Sequence, residues 1–95
     1  MNAGGVNRTE IITAYREKAI EMLCFAEKYG EVTGAFLKGK GYSQKEYSIF
    51  YKNYYGWYEK IEKGVYIVSE KGREALEKEE YRSLVEYFRK TMKEI

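Results

Sequence analysis

A mostly helical α+β domain, three helices carrying one small β-hairpin and followed by a further helix, is the fold class this sequence predicts. Three observations predict it. Apolar residues recur at three-and-four spacing in separate stretches, glycines at positions 30, 39, 41, 56 and 64 punctuate those stretches, and a single β-branched run, Val65-Tyr66-Ile67-Val68, stands between turn residues. With 95 residues, 44% hydrophobic and 17% aromatic, the chain suits one small domain and is too rich in apolar side chains for a disordered segment.

Asn2, Gly4, Gly5 and Asn7 offer nothing to pack, so residues 1–8 read as a flexible start. From Thr9 or Glu10 to Tyr29, the residues Ile12, Tyr15, Ala19, Met22, Leu23, Ala26 and Tyr29 share a helical face, and Gly30 stops the helix. Glu31-Val32-Thr33 suits a very short extended stretch, and Thr33 can cap a second helix holding Ala35, Phe36 and Leu37, which ends in Gly39-Lys40-Gly41. Ser43-Gln44-Lys45-Glu46 reads as a capping box, because the Ser hydroxyl can accept from the residue 46 amide while the Glu carboxylate reaches back. A third helix therefore starts near Gln44, carries Tyr47, Phe50, Tyr51 and Tyr54 as its apolar positions and ends at Gly56. Trp57, Tyr58 and Ile61 before the Glu62 to Gly64 turn, with Val65 to Val68 after it, make the hairpin. Ser69 caps a fourth helix with Ala75 and Leu76.

Beyond Leu76 the buried face changes. At about 100° per residue, Tyr81, Leu84, Val85, Phe88, Met92 and Ile95 fall in one stripe, and Leu76 lies far from its centre. The spacing thus predicts a bend near Lys78 to Glu80, a folded domain over 9–78, and a C-terminal helix over 79–95 whose stripe serves another surface. Tyr81, Leu84, Val85, Phe88 and Met92 are candidates to bury that surface against a second copy in a homodimer, the alternative being a monomer that folds this helix back onto helix one.

Absent residue types exclude much chemistry. The chain has no His, no Asp, no Pro and one cysteine, Cys24, so there is no Ser-His-Asp triad, no imidazole base, no Cys- or His-rich zinc site and no internal disulfide. No cofactor is expected, and no spacing of Glu, Lys or Tyr nominates an active site; Cys24 reads as a small buried hydrophobe. No apolar run approaches a membrane span and no signal peptide is evident, which points to the cytoplasm. The formal charge of +2 is small, but its distribution is uneven. Residues 1–37 carry four basic and five acidic side chains, residues 38–63 six and three, and residues 64–95 seven and seven.

The order helix, short strand, helix, turn, helix, hairpin, helix is that of a winged helix. Val65-Tyr66-Ile67-Val68-Ser69-Glu70-Lys71-Gly72-Arg73-Glu74-Ala75-Leu76 resembles the strand-to-helix phrase that closes the wing in regulators of the PadR and MarR type. Tyr55-Gly56-Trp57-Tyr58 followed by Gly64-Val65-Tyr66 is similar to the C-terminal winged-helix tail of an uncharacterised prokaryotic family whose larger members carry a nuclease-like domain. With no Asp and no Glu-x-Lys, the acidic metal-binding signature of such nucleases cannot be carried over. Together the resemblances cover residues 31–76.

They imply double-stranded DNA as partner, with helix three in the major groove and the wing beside the backbone. Gln44, Lys45, Ser48 and Lys52 would face the bases with Tyr51 and Asn53 at the margins; Ser43 could hold a phosphate at the helix start; Lys38, Lys40, Lys60 and Lys63 would meet phosphates. The function so implied is a small transcriptional regulator and not an enzyme. A protein-interaction or accessory module without DNA affinity is the alternative, in which those side chains are a solvated face. Tyr51, Tyr54, Tyr55, Trp57 and Tyr58 fit core packing, or else stacking with single-stranded bases.

Overall fold

The computed structural model describes residues 13–93, so the expected flexible start, the first turns of helix one with Ile12, and Ile95 lie outside the described residues. Helix α1 spans Ala14–Tyr29, α2 Gly34–Gly39 and α3 Gln44–Lys52. Strands β1 (Tyr58–Glu62) and β2 (Val65–Val68) follow, then α4 (Glu70–Leu76), a 3₁₀ turn (Glu79–Tyr81) and α5 (Arg82–Lys93). The fold is α+β and mostly helical, with five α-helices and one two-stranded antiparallel sheet among the described residues.

Hydroxyl side chains set the helix starts. Thr13 accepts from the Arg16 amide, Thr33 from the Phe36 amide at 3.0 Å and Ser69 from the Gly72 amide at 3.1 Å. Each satisfies an amide that has no partner within its own helix. In the hairpin Tyr58 pairs with Val68, Glu59 with Ile67 and Lys60 with Tyr66, and the register then shifts so that Glu62 faces Val65. Lys63 and Gly64 make the turn, with Gly64 at φ 75°, a value that favours glycine. Val32 adds one rung: its amide donates to the Tyr66 carbonyl at 2.9 Å and its carbonyl accepts from the Tyr66 amide at 3.0 Å. That rung fixes the hairpin to the α1–α2 connection.

Two expectations about the helices are corrected. Helix α3 ends at Lys52 rather than Gly56, because Asn53 takes a left-handed conformation (φ 50°, ψ 47°) that turns the chain out of the helix. Its inward residues are Ile49 and Phe50, while Tyr51 is 48% and Tyr54 67% exposed. The second correction concerns the terminal stripe. The chain bends where expected, through an extended Lys78, but α5 then lies back along α1 in the same chain. Tyr81, Val85, Phe88 and Met92 are buried in the one hydrophobic core, and Leu84 packs partly against it. The apolar area assigned to a second copy is therefore taken up within the monomer.

Polar contacts lock that arrangement. The Glu27 carboxylate accepts from Arg89 Nε at 3.0 Å and from Nη2 at 2.7 Å, and Lys28 Nζ donates to the Met92 carbonyl near the end of α5. With α3, β2 and α4 on its other sides, α1 buries Ile20, Cys24 and Phe25 as well as Ala19, Met22, Leu23 and Ala26 of the face its spacing suggests, while Tyr15 of that face is exposed. Among the described residues no helix is long and apolar enough to cross a membrane.

Candidate nucleic-acid interface

The outward side of α3 carries Gln44, Lys45, Ser48, Tyr51 and Lys52, a continuous stripe of about 120° on the helical wheel. Its one carboxylate, Glu46, points the other way. The Glu46 side chain is 14% exposed, reaches Lys18 of α1 at 3.9 Å, and accepts from the Ser43 amide at 2.8 Å and the Ser43 hydroxyl at 2.7 Å. Burial pushes the Glu46 carboxyl up, but the hydrogen bonds from Ser43 and the nearby Lys18 outweigh it and hold it below its ordinary value. The capping box thus takes the helix's acid inward and leaves the outward stripe without negative charge.

The same capping box revises the part assigned to Ser43. Its hydroxyl donates to Glu46 and accepts from the Lys45 amide at 3.2 Å. A carboxylate already sits at the positive end of α3, where a phosphate was expected. Asn53 is also committed elsewhere: its amide nitrogen donates to the Tyr58 carbonyl at 2.8 Å and its amide oxygen accepts from the Tyr58 amide at 3.1 Å. It clamps the entry of β1 and does not face a groove. Ser48 donates to the Lys45 carbonyl at 2.7 Å, which leaves its oxygen able to accept.

Lys38, Lys40, Lys45, Lys52, Lys60 and Lys63 are all exposed, with Lys60 and Lys63 alternating along the hairpin with exposed Glu59 and Glu62. Lys40 lies over the Tyr29 ring, 5.0 Å from its centroid, and Lys52 lies 6.0 Å from that of Tyr54. Lys38, Ser43 and Gln44 come together around a cleft of about 570 Å³ at the α2–α3 junction, with Gly34, Ala35, Tyr42 and Tyr47 as its other walls. The hairpin lysines do not line it. Tyr42 donates to Glu21 at 3.0 Å, and burial together with Glu21 raises its hydroxyl, so it stays protonated in that wall.

Sequence reasoning placed Tyr15 in the core and gave Arg16 no part. Both stand beside the exit of α3: the Tyr15 ring lies 5.8 Å from that of Tyr54, and the Arg16 guanidinium lies 5.4 Å from the Tyr55 centroid. No local signal marks them, since α1 begins some forty residues upstream of the turn it meets. Cys24 is buried and faces the Val85 carbonyl at 4.0 Å. Burial, with Glu27 nearby, pushes its thiol up to about 12, so it holds its proton and is no nucleophile at neutral pH.

A family whose sequence model matches this chain over residues 1–75 is described as Putative PD-(D/E)XK phosphodiesterase (DUF2161). The match takes in 75 of the 95 residues, and the chain belongs to this family. No curated protein and no solved structure matches it. Membership corrects three expectations: the chain is not placed among PadR- or MarR-type regulators, its function is not that of a transcriptional regulator, and the reading that it is no enzyme gives way to a family described by an enzymatic activity.

The family description names a motif that the residues here do not spell. There is no Pro and no Asp in the chain, and no Glu stands two positions before a Lys. Metal-assisted phosphodiester cleavage needs carboxylates converging on a hard divalent cation. Among the described residues no three His, Cys, Asp or Glu side chains are grouped so as to hold one. The donor set of the described residues does not fit such a metal.

Proposed function

We propose that this chain holds nucleic acid for the phosphodiester chemistry of its family, the cleaving carboxylates being supplied from outside these 95 residues. Its frame on this reading is a winged helix: α1 to α3 form the bundle, β1 and β2 the wing, and Val32 the single bridge that ties the wing to the bundle. The observation that carries the reading is the acid-free outward stripe of α3. A helix of nine residues is roughly 13 Å long, and the major groove is about 12 Å wide. Lys45 and Lys52 would meet phosphates or guanine edges, Gln44 an adenine edge, and Lys38, Lys60 and Lys63 the flanking backbone.

The test is anisotropy of labelled duplex with the purified chain across a salt series, beside a plasmid-cleavage assay with Mg²⁺ or Mn²⁺. Five lysines on phosphates give a slope of log K against log salt near −4.5, at about 0.9 per contact. Lys45→Glu/Lys52→Glu should bring that slope down by about 2. Absence of duplex binding at low salt would overturn the reading, and cutting of plasmid by this chain alone would overturn the external source of the carboxylates.

A further inference from the structure

An aromatic row leaves the core beside α3 and ends in solvent. Trp57, 5% exposed, stands at its inner end with the Tyr55 ring 4.6 Å away; Tyr15 follows at 6.2 Å from Tyr55, and Tyr54 at 5.8 Å from Tyr15. Tyr54 is the outermost ring and the most exposed, at 67%. Its position is fixed by backbone geometry. Asn53, left-handed and clamped on both backbone groups of Tyr58, and Gly56 at φ 73° together hold the short turn that throws Tyr54 outward. A seat held this firmly gives up little freedom when something docks on it.

The surroundings of the row identify its occupant. Lys52 lies 6.0 Å from the Tyr54 centroid and Arg16 lies against Tyr55, so cations flank the ring faces. Lys52 also belongs to the α3 stripe, which makes the row a continuation of that surface. A ligand that offers a flat ring and a negative backbone, repeated along a chain, matches both features, because aromatic side chains between cations bind unpaired bases whatever their sequence. We propose that Tyr54, backed by Tyr15, is the stacking seat for an unpaired base, so that the nucleic acid lying along α3 is one with a single-stranded tail or an opened end. The proposal deepens the nucleic-acid reading above and rests on it for the identity of the ligand.

Binding of a short blunt duplex, the same duplex with a single-stranded tail, and an oligo(dT) strand separates the two readings. Wild-type protein should prefer the tailed duplex to the blunt one. Tyr54→Ala should remove that preference, a loss of about 5- to 150-fold for one stacked base, and leave blunt-duplex affinity unchanged. Tyr54→Phe keeps the ring and should keep the preference. No advantage of the tail in the wild type, or equal weakening of blunt and tailed duplex by Tyr54→Ala, would overturn the seat. Oligo(dT) bound in a Tyr54-dependent way without any blunt-duplex binding would support the seat and overturn only the groove docking of α3.

Discussion

Replacing Gly72 by Ala sets two physical effects against each other. Gly72 lies inside α4, where helix propensity alone favours Ala by about 1 kcal/mol. Packing reverses the sign. A Cβ at this position would press on the Trp57 carbonyl oxygen, closer than any ordinary contact, and would stand 2.8 Å from Val68 Cγ1 and 3.2 Å from Leu23 Cδ1. The tips of Val68 and Leu23 can give a little, but the Trp57 carbonyl is backbone and already accepts from the Ser69 amide at 2.8 Å. Ser69 in turn caps α4 and donates its hydroxyl to the Gly56 carbonyl at 2.7 Å. Any shift that makes room therefore disturbs the cap and the β2–α4 junction together. Overpacking costs about 1 to 3 kcal/mol and a weakened cap about 1 kcal/mol, so the net loss for Gly72→Ala is about 2 kcal/mol. For a domain of this size each kcal/mol is worth about 4 to 8 °C, which puts the drop in melting temperature at about 8 to 16 °C by circular dichroism. A variant that melts at or above the wild type would refute the close approach of α4 to the Trp57 backbone.

Two further variants test other contacts. Phe88→Ala should cost about 3 kcal/mol by urea unfolding, with a melting temperature that does not depend on protein concentration; a midpoint that rises with concentration would place the α5 stripe between copies instead of on α1. Because the Glu46 carboxyl is held below its ordinary value, the stability it contributes is present above that ordinary value and is lost as pH falls through the lowered one. Glu46→Gln should therefore cost about 1 kcal/mol near neutral pH and flatten the acid side of the stability profile, and identical acid slopes in both proteins would refute the capping-box ionisation.

Contacts that span three or four residues were legible in the sequence. Thr33, Ser43 and Ser69 cap helices as their positions suggest, because a hydroxyl and the amides it serves lie within one turn of each other. Lys63-Gly64 makes the hairpin turn, since its geometry is local too. The residues that went astray have a second use that only tertiary structure decides. Asn53 can read an adenine or take a left-handed cap, and it is the arrival of β1 that brings the Tyr58 backbone onto its amide. The spacing of Tyr81, Val85, Phe88 and Met92 says that a stripe is buried but not against what. Arg89 finds its carboxylate 62 positions back, at Glu27. Tyr54 has the spacing of an inward residue, yet the helix ends before reaching it.

Charge then separates α3 from α4 and α5. On α4 the exposed Glu70, Lys71, Arg73 and Glu74 mix signs, and on α5 Arg82 and Arg89 are partnered by Glu79 and Glu27 from outside the helix while Glu86 and Lys90 lie one turn apart. Such surfaces largely cancel beyond a Debye length, about 8 Å at physiological salt. The α3 stripe does not cancel, because the acid of its first turn is spent on Ser43 and Lys18. The family match stops at residue 75, before α5 begins, whereas α5 closes the side of α1 that Cys24, Glu27 and Lys28 would otherwise leave open. On the nucleic-acid reading proposed above, a polyanion would be drawn to the α3 stripe on approach, and the aromatic row at the end of α3 is where an unpaired part of it would first meet a ring.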